Sequence, residues 1–159
     1  MLAIADETHL HMLEFVERKK LQDHVERYRE MFNAIVLPGD TKALKLIRKE
    51  LADYFSAKTL DFKSKIAGAG TEFQNEVWNE LRRVPPGVTR SYQEMAQLIG
   101  RPSAVRAVAN ANRLNRCAII LPCHRVIGAD GTLTGYAGGL WRKQWLLDHE
   151  KRHTGQTLL

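Results

Sequence analysis

Cysteine is scarce in this chain: Cys117 and Cys123 are the two among 159 residues. Two thiols cannot build the disulfide framework of a small secreted domain, so a reducing compartment is expected. No CxxC pair occurs, and residues 1–63 hold no cysteine, so no structural zinc is expected. No apolar run approaches the roughly 20 residues that cross a bilayer. The N-terminus carries Asp6, Glu7, Glu14 and Glu17 and lacks the apolar stretch of a signal peptide. Lysine is missing between residues 82 and 125, and acid nearly so: eight arginines face Glu94 alone.

What is present fits a soluble globular protein, with 44% hydrophobic and 26% charged residues. The length suffices for one good core or two small ones. The net charge of +6 is uneven. Residues 1–63 balance 11 Lys/Arg against 11 Asp/Glu, whereas residues 64–159 hold 13 against 7. A charge run is usually a solvated face. An arginine-only stretch over short helices is less bland, because the planar guanidinium fork suits phosphate.

The chain divides into an N-terminal part, residues 1–63, and a C-terminal part, residues 64–159. Leu2–Ala5 and Leu10–Phe15 read as strands around the polar turn Asp6-Glu7-Thr8. Leu21–Met31 reads as a helix. Asp40 is placed to cap a second, with Leu44, Ile47, Leu51 and Tyr54 on one face. A connector over residues 56–70 ends in Ile66-Ala67-Gly68-Ala69-Gly70. Thr71–Gln74 fits a capping box, opening a helix with Phe73, Val77, Leu81 and Val84 on one face, which Pro85-Pro86-Gly87 stops. Ser91–Glu94 is a second capping box, and its helix ends at Gly100. After Arg101-Pro102, Ser103 is placed to cap a third helix to about Arg113, completing a helix-turn-helix. Val105, Val108 and Asn112 share one side of that helix; Arg106, Asn110 and Arg113 share another. Four alanines keep it slim enough to approach a DNA groove. The last helix is expected to bury Trp141, Trp145, Leu146 and Leu147, with Asp148, His149 and Glu150 at its polar end.

The chemistry concentrates in Leu121-Pro122-Cys123-His124-Arg125-Val126. A lone cysteine after an apolar run is usually a small buried hydrophobe. Beside a histidine and an arginine it becomes a candidate nucleophile, because basic neighbours favour the thiolate. Glu150 alone is most often a solvated acid; it gains a role only if the fold brings it to His124.

The chain resembles the O6-alkylguanine-DNA alkyltransferases, the methylated-DNA–protein-cysteine methyltransferases. The matching text is Thr71–Gln74 with Val77-Trp78, Pro86–Tyr92, Arg106–Val108, Asn115, Pro122–Ile127, Gly135–Gly139, and Leu146-Leu147 with Glu150. It covers residues 71–150 in the family's order, while residues 1–63 match only loosely. The resemblance implies an α/β fold: a small N-terminal antiparallel sheet with helices, and a mainly helical C-terminal domain holding the helix-turn-helix and the active-site cysteine. It implies direct-reversal DNA repair, in which one alkyl group moves from O6-alkylguanine, or O4-alkylthymine, to Cys123 and stays there.

Residue roles follow from the same resemblance. His124 deprotonates Cys123 through a water, and Glu150 orients His124. Asn115 braces the turn, Tyr92 serves the base's N3, and Tyr136 donates to O6. Asn112, Val126, Tyr136 and Ala137 form the substrate pocket. Arg106 replaces the flipped base in the stack, and Thr89, Tyr92, Gln93, Ser103, Ala107, Asn110 and Arg113 meet the DNA. The implied partner is double-stranded DNA bound through its minor groove, by a monomer with no cofactor, no metal and no membrane, in the cytoplasm or a nucleus. Three departures are expected: the first segment reads as the family's second strand, Arg116 follows Asn115 where many relatives have proline, and Ala118 replaces a proline of some relatives. A non-catalytic lesion binder and a cysteine hydrolase are the competing classes.

Overall fold

The computed structural model describes residues 1–68 and 70–155. Ala69 of the connector and residues 156–159 of the C-terminal part lie outside the described residues. The hairpin forms around the expected polar turn: β1 (Leu2–Ala5) pairs antiparallel with β2 (Leu10–Glu14), Ala3 opposite Leu13 and Ile4 opposite Met12. Asp6 fixes the turn, its carboxylate accepting from the Thr8 and His9 amides at 2.7 Å each.

Two helices follow, α1 (Leu21–Phe32) and α2 (Lys42–Phe55). Thr41, not Asp40, caps α2: its hydroxyl accepts from the Leu44 amide at 3.2 Å. Asp40 instead lies exposed near Lys45 and Arg48. The helix starts one residue later than expected, so the shorter threonine reaches its amide. Buried Glu50 holds the connector to α2, accepting from the Lys63 and Ser64 amides and the Ser64 hydroxyl.

Helices α3 (Glu72–Arg83), α4 (Tyr92–Leu98) and α5 (Val105–Arg113) come next. Both capping boxes form, at Thr71/Gln74 and Ser91/Glu94. Ser103 does not cap α5: Ala104 occupies that position, with its amide bonded to the Arg101 carbonyl at 2.8 Å. The turn takes one more residue than expected, and Gln93 holds it by donating to the Pro102 carbonyl at 3.2 Å. Trp78 locks α3 to α5 through its indole N–H and the Ala111 carbonyl, 3.0 Å apart.

Two short strands, β3 (Arg90–Ser91) and β4 (Val126–Ile127), pair in parallel beside the cysteine segment. The final helix, α6 (Leu140–His153), departs most from expectation. Trp141 is 67% and Trp145 41% exposed, while Lys143, Leu146, His149 and Glu150 are buried. Each of the three buried polar side chains has a partner, which removes the usual penalty for burying it. The tryptophans stay outside, one against Arg142 and one stacked on His149.

One core runs through both parts. Leu10, Leu13 and Ile47 pack with Val77, Leu81, Met95, Val108 and Val126. Strand β2 is the seam. Its Leu10 exchanges backbone bonds with Lys65 and Ala67, and its Leu13 with Arg116 and Ala118. The N-terminal hairpin thus holds the segment leading to Cys123.

Candidate active site

The segment from Asn115 to Arg125 is shaped by backbone before side chains enter. Ile119 sits at φ 74°, a conformation that β-branched residues rarely adopt, and the Ile120 amide reaches back to the Ala118 carbonyl at 3.0 Å. Pro122, at φ −80° and ψ 58°, makes a second tight turn, closed by the Cys123 amide on the Leu121 carbonyl at 2.7 Å. Asn115 braces both turns. Its Nδ2 donates to the Leu121 carbonyl at 2.8 Å and lies 3.0 Å from Cys123 Sγ, and its Oδ1 accepts from the Cys117 amide at 2.8 Å. Such strain persists where the surroundings over-determine it, and it concentrates at functional sites.

Behind Cys123 lies a buried relay. His124 Nε2 and Glu150 Oε1 are 2.8 Å apart, and neither side chain is exposed. The same carboxylate accepts from Arg125 Nε and Nη2 at 2.8 Å each, from the Tyr54 hydroxyl at 2.8 Å and from the Gly87 amide at 3.3 Å. Gly87 is required there: its φ is 76°, and a Cβ would strike Thr154. Burial pushes the Glu150 carboxyl up, but the hydrogen bonds and charges of His124 and Arg125 more than offset it. The carboxyl is held well below its usual range. Burial also lowers the His124 pKa, against the raising effect of Glu150, so the resting imidazole is neutral. With Nε2–H directed to the carboxylate, the lone pair is on Nδ1, which has no partner among the described residues. Burial pushes the Cys123 thiol up, opposed by Asn115, Lys143 and Arg18. The thiol therefore needs a base, and His124 is the adjacent one.

Cys123 borders a cavity of about 570 Å³. Of the residues expected at the site, Tyr92, Asn112, Arg113, Asn115, Tyr136 and Ala137 also border it. Two polar atoms there lack partners among the described residues, the Tyr136 hydroxyl and Asn112 Oδ1. Tyr92 Oη accepts weakly from Thr134, at 3.3 Å. Burial raises the Tyr136 phenol well above its ordinary value, so it stays a donor. Gly138 admits the loop, since a Cβ there would strike Phe15 and Tyr136.

Val126 does not border the cavity. It is fully buried, and its carbonyl accepts from Lys143 Nζ at 2.7 Å. Arg106, Ala107 and Asn110 are exposed on α5, Gln93 is exposed on α4, and Thr89 and Ser103 are exposed outside these helices. Arg113 donates to Asn110 Oδ1 at 2.9 Å at the cavity rim.

Sequence reasoning missed Tyr54, Lys143 and the pair of Arg18 with Glu14, and it set Arg125 beside the thiol, whereas Arg125 is bonded to Glu150. Arg18 is bonded to Glu14, and it donates to the Asn115 and Arg113 carbonyls at 3.3 and 3.4 Å. No local pattern in the sequence marked the three missed sites. His149 and His153, four residues apart on α6, are committed to the Tyr54 and His149 carbonyls at 2.7 Å each. Among the described residues, no cluster of three His, Cys, Asp or Glu side chains could hold a metal.

Comparison with known proteins identifies the family. Residues 72–152 match the family model described as the DNA-binding domain of 6-O-methylguanine DNA methyltransferase. A methylated-DNA–protein-cysteine methyltransferase of Mycolicibacterium paratuberculosis is 51% identical over 110 residues, 69% of this chain and 67% of the relative. One from Methanosarcina barkeri is 48% identical over 123 residues, 75% of this chain and 78% of the relative. The crystal structure of Mycobacterium tuberculosis OGT in complex with DNA superposes with a TM-score of 0.80 at 38% identity, covering 95% of this chain and 86% of that one. This chain belongs to the 6-O-methylguanine DNA methyltransferase family.

Proposed function

We propose that this protein repairs alkylated DNA by direct reversal, moving the alkyl group of O6-alkylguanine, and of O4-alkylthymine, onto Cys123. The single observation that carries the residue assignment is the His124–Glu150 pair behind Cys123. The pair leaves the Nδ1 lone pair without a partner among the described residues and able to take the thiol proton, and Cys123 borders a cavity into which Tyr136 offers a hydroxyl.

The steps balance. His124 takes the Cys123 proton through a water, with Glu150 hydrogen-bonded to the imidazolium. The thiolate attacks the alkyl carbon, forming a C–S bond as the C–O6 bond breaks and its electron pair leaves on the base. Tyr136 donates a hydrogen bond to that oxygen, and the departing base takes up one proton from the site, which balances the one that left the thiol for His124. A thioether is not readily hydrolysed, so each molecule acts once. Residues 64–159 carry the DNA contacts and the transfer, and residues 1–63 brace the cysteine segment. The target base must leave the stack. Helix α5 enters the minor groove, with Arg106 filling the gap and Thr89, Tyr92, Gln93, Ser103, Ala107, Asn110 and Arg113 along the backbone. Asn112 and Ala137 hold the extruded base, and the backbone near Cys123 meets its amino group. The protein acts as a monomer where the genome is kept, in the cytoplasm or a nucleus. No helix of the described residues is long and apolar enough to cross a membrane.

Mass spectrometry after mixing with duplex O6-methylguanine DNA tests this. One methyl group fixed on Cys123, absent from Cys123→Ala with DNA affinity retained, is the expected result. Binding without modification, or turnover of an ester or peptide, overturns it.

A further inference from the structure

Lys143 is a buried cation with no carboxylate. Its ammonium is fully enclosed on α6 and donates to two carbonyls, Val126 at 2.7 Å and Thr134 at 2.9 Å. Among the described residues no Asp or Glu pairs with it. The other charges around Cys123 are accounted for. Arg18, from the loop after β2, is bonded to Glu14, and Arg125 to Glu150. On α5, Arg113 is exposed at the rim and bonded to Asn110. His124 rests neutral, and Tyr136 keeps its proton. The site with a neutral thiol therefore encloses one uncompensated positive charge, and a buried charge without a partner is costly. A Cys123 thiolate cancels it. Burial pulls the Lys143 pKa from its ordinary value down to about 8, and the Cys123 charge opposes that fall.

We propose that Lys143 is the counter-charge of the Cys123 thiolate and, through its two carbonyl bonds, the residue that positions the Tyr136 loop against the cysteine segment. The two bonds span from the end of the Cys-His-Arg turn to the start of the loop carrying Tyr136. One ammonium thus couples formation of the nucleophile to placement of the leaving-group donor. The inference rests on Cys123 being the alkyl acceptor.

The test uses the full chain carrying Cys117→Ala, so that one thiol reports. The rate of Cys123 modification by iodoacetamide is followed against pH, alongside methyl transfer from duplex O6-methylguanine DNA. Lys143→Gln keeps a donor for the carbonyls and removes the charge; Lys143→Met removes both. An opposite charge nearby commonly moves a pKa by one unit or more. Both variants should therefore raise the pH of half-maximal modification by about one unit. In Lys143→Gln, transfer at neutral pH should fall about tenfold, the thiolate fraction that one unit represents. An unchanged midpoint in Lys143→Gln makes Lys143 a structural peg and overturns the proposal. A second readout needs no change at position 143. Coupling is reciprocal, so the Lys143 ammonium, followed by NMR, should titrate lower in protein methylated at Cys123 by methyl iodide than in unmodified protein. Identical titrations also overturn the proposal. A shifted midpoint without methyl transfer from DNA would keep the ion pair and defeat the repair reading, so the two failures are distinguishable.

Discussion

Asn115 commits both ends of its amide to the backbone of the cysteine turn. Asn115→Ala leaves the Cys117 amide and the Leu121 carbonyl without those partners in a buried place, at roughly 1–3 kcal/mol for a group left unpaired. Denaturant unfolding should show a loss of that size together with slower transfer; an unchanged midpoint with unchanged activity makes Asn115 an ordinary loop residue. Tyr136 is the opposite case. Its hydroxyl has no partner among the described residues, so Tyr136→Phe removes a hydrogen bond made only with substrate. Transfer should slow by about tenfold to a hundredfold, as for loss of one acid or oxyanion donor, with the melting temperature unmoved. Equal activity of Tyr136→Phe and the parent protein would take this role from Tyr136.

Among the elements, α5 has a buried and an exposed face with different duties. Val108, Ala111 and Asn112 pack inward, while Arg106 and Arg113 face out. Arg106→Ala should slow repair of duplex DNA far more than reaction with the free base, which needs no extrusion. Pairing the lesion with a mismatched base should partly rescue the variant, because unstacking then costs less. Equal slowing on both substrates contradicts the intercalating role. Arg113→Ala should instead weaken binding to every sequence and reduce the slope of log affinity against log salt by about one. An unchanged slope would place Arg113 outside the phosphate contacts. Local rules set these elements well where a signal lies within a few residues. The two capping boxes and the Pro85-Pro86 stop needed nothing remote. They set less well where neighbouring residues compete for one role, as Asp40 with Thr41, and as Ser103 with the start of α5 at Ala104.

For the whole molecule, stability should follow two buried groups that bind fewer protons folded than unfolded. The His124 pKa is lowered by burial, so its contribution is complete above about pH 6.5, the unfolded value, and declines as pH falls below that. Glu150 is depressed by His124 and Arg125 despite its burial, so its contribution is complete above about pH 4.3 and is lost as pH falls toward its much lower folded value. Thermal melts from neutral to acid pH should therefore decline in two stages, and Glu150→Gln should lack the lower one. A flat melting temperature between pH 7 and 5 would show that His124 is not buried neutral.

The sequence by itself determined the helical punctuation, the hairpin, the slim arginine-bearing helix and the Cys-His-Arg turn. These depend on propensities and hydrogen bonds spanning a few residues, and the Pro-Cys-His-Arg text with its flanking motifs carried the family. The tertiary structure alone decided which polar residues are buried. Tyr54 and Glu150 are 96 residues apart in the chain, and His124 and Glu150 are 26 apart. The tryptophans of α6 were expected inside, yet Lys143, His149 and Glu150 took the interior beside Leu146. A charged side chain is acceptable there only when partners from distant segments satisfy it, and that condition is written in no local window of the sequence.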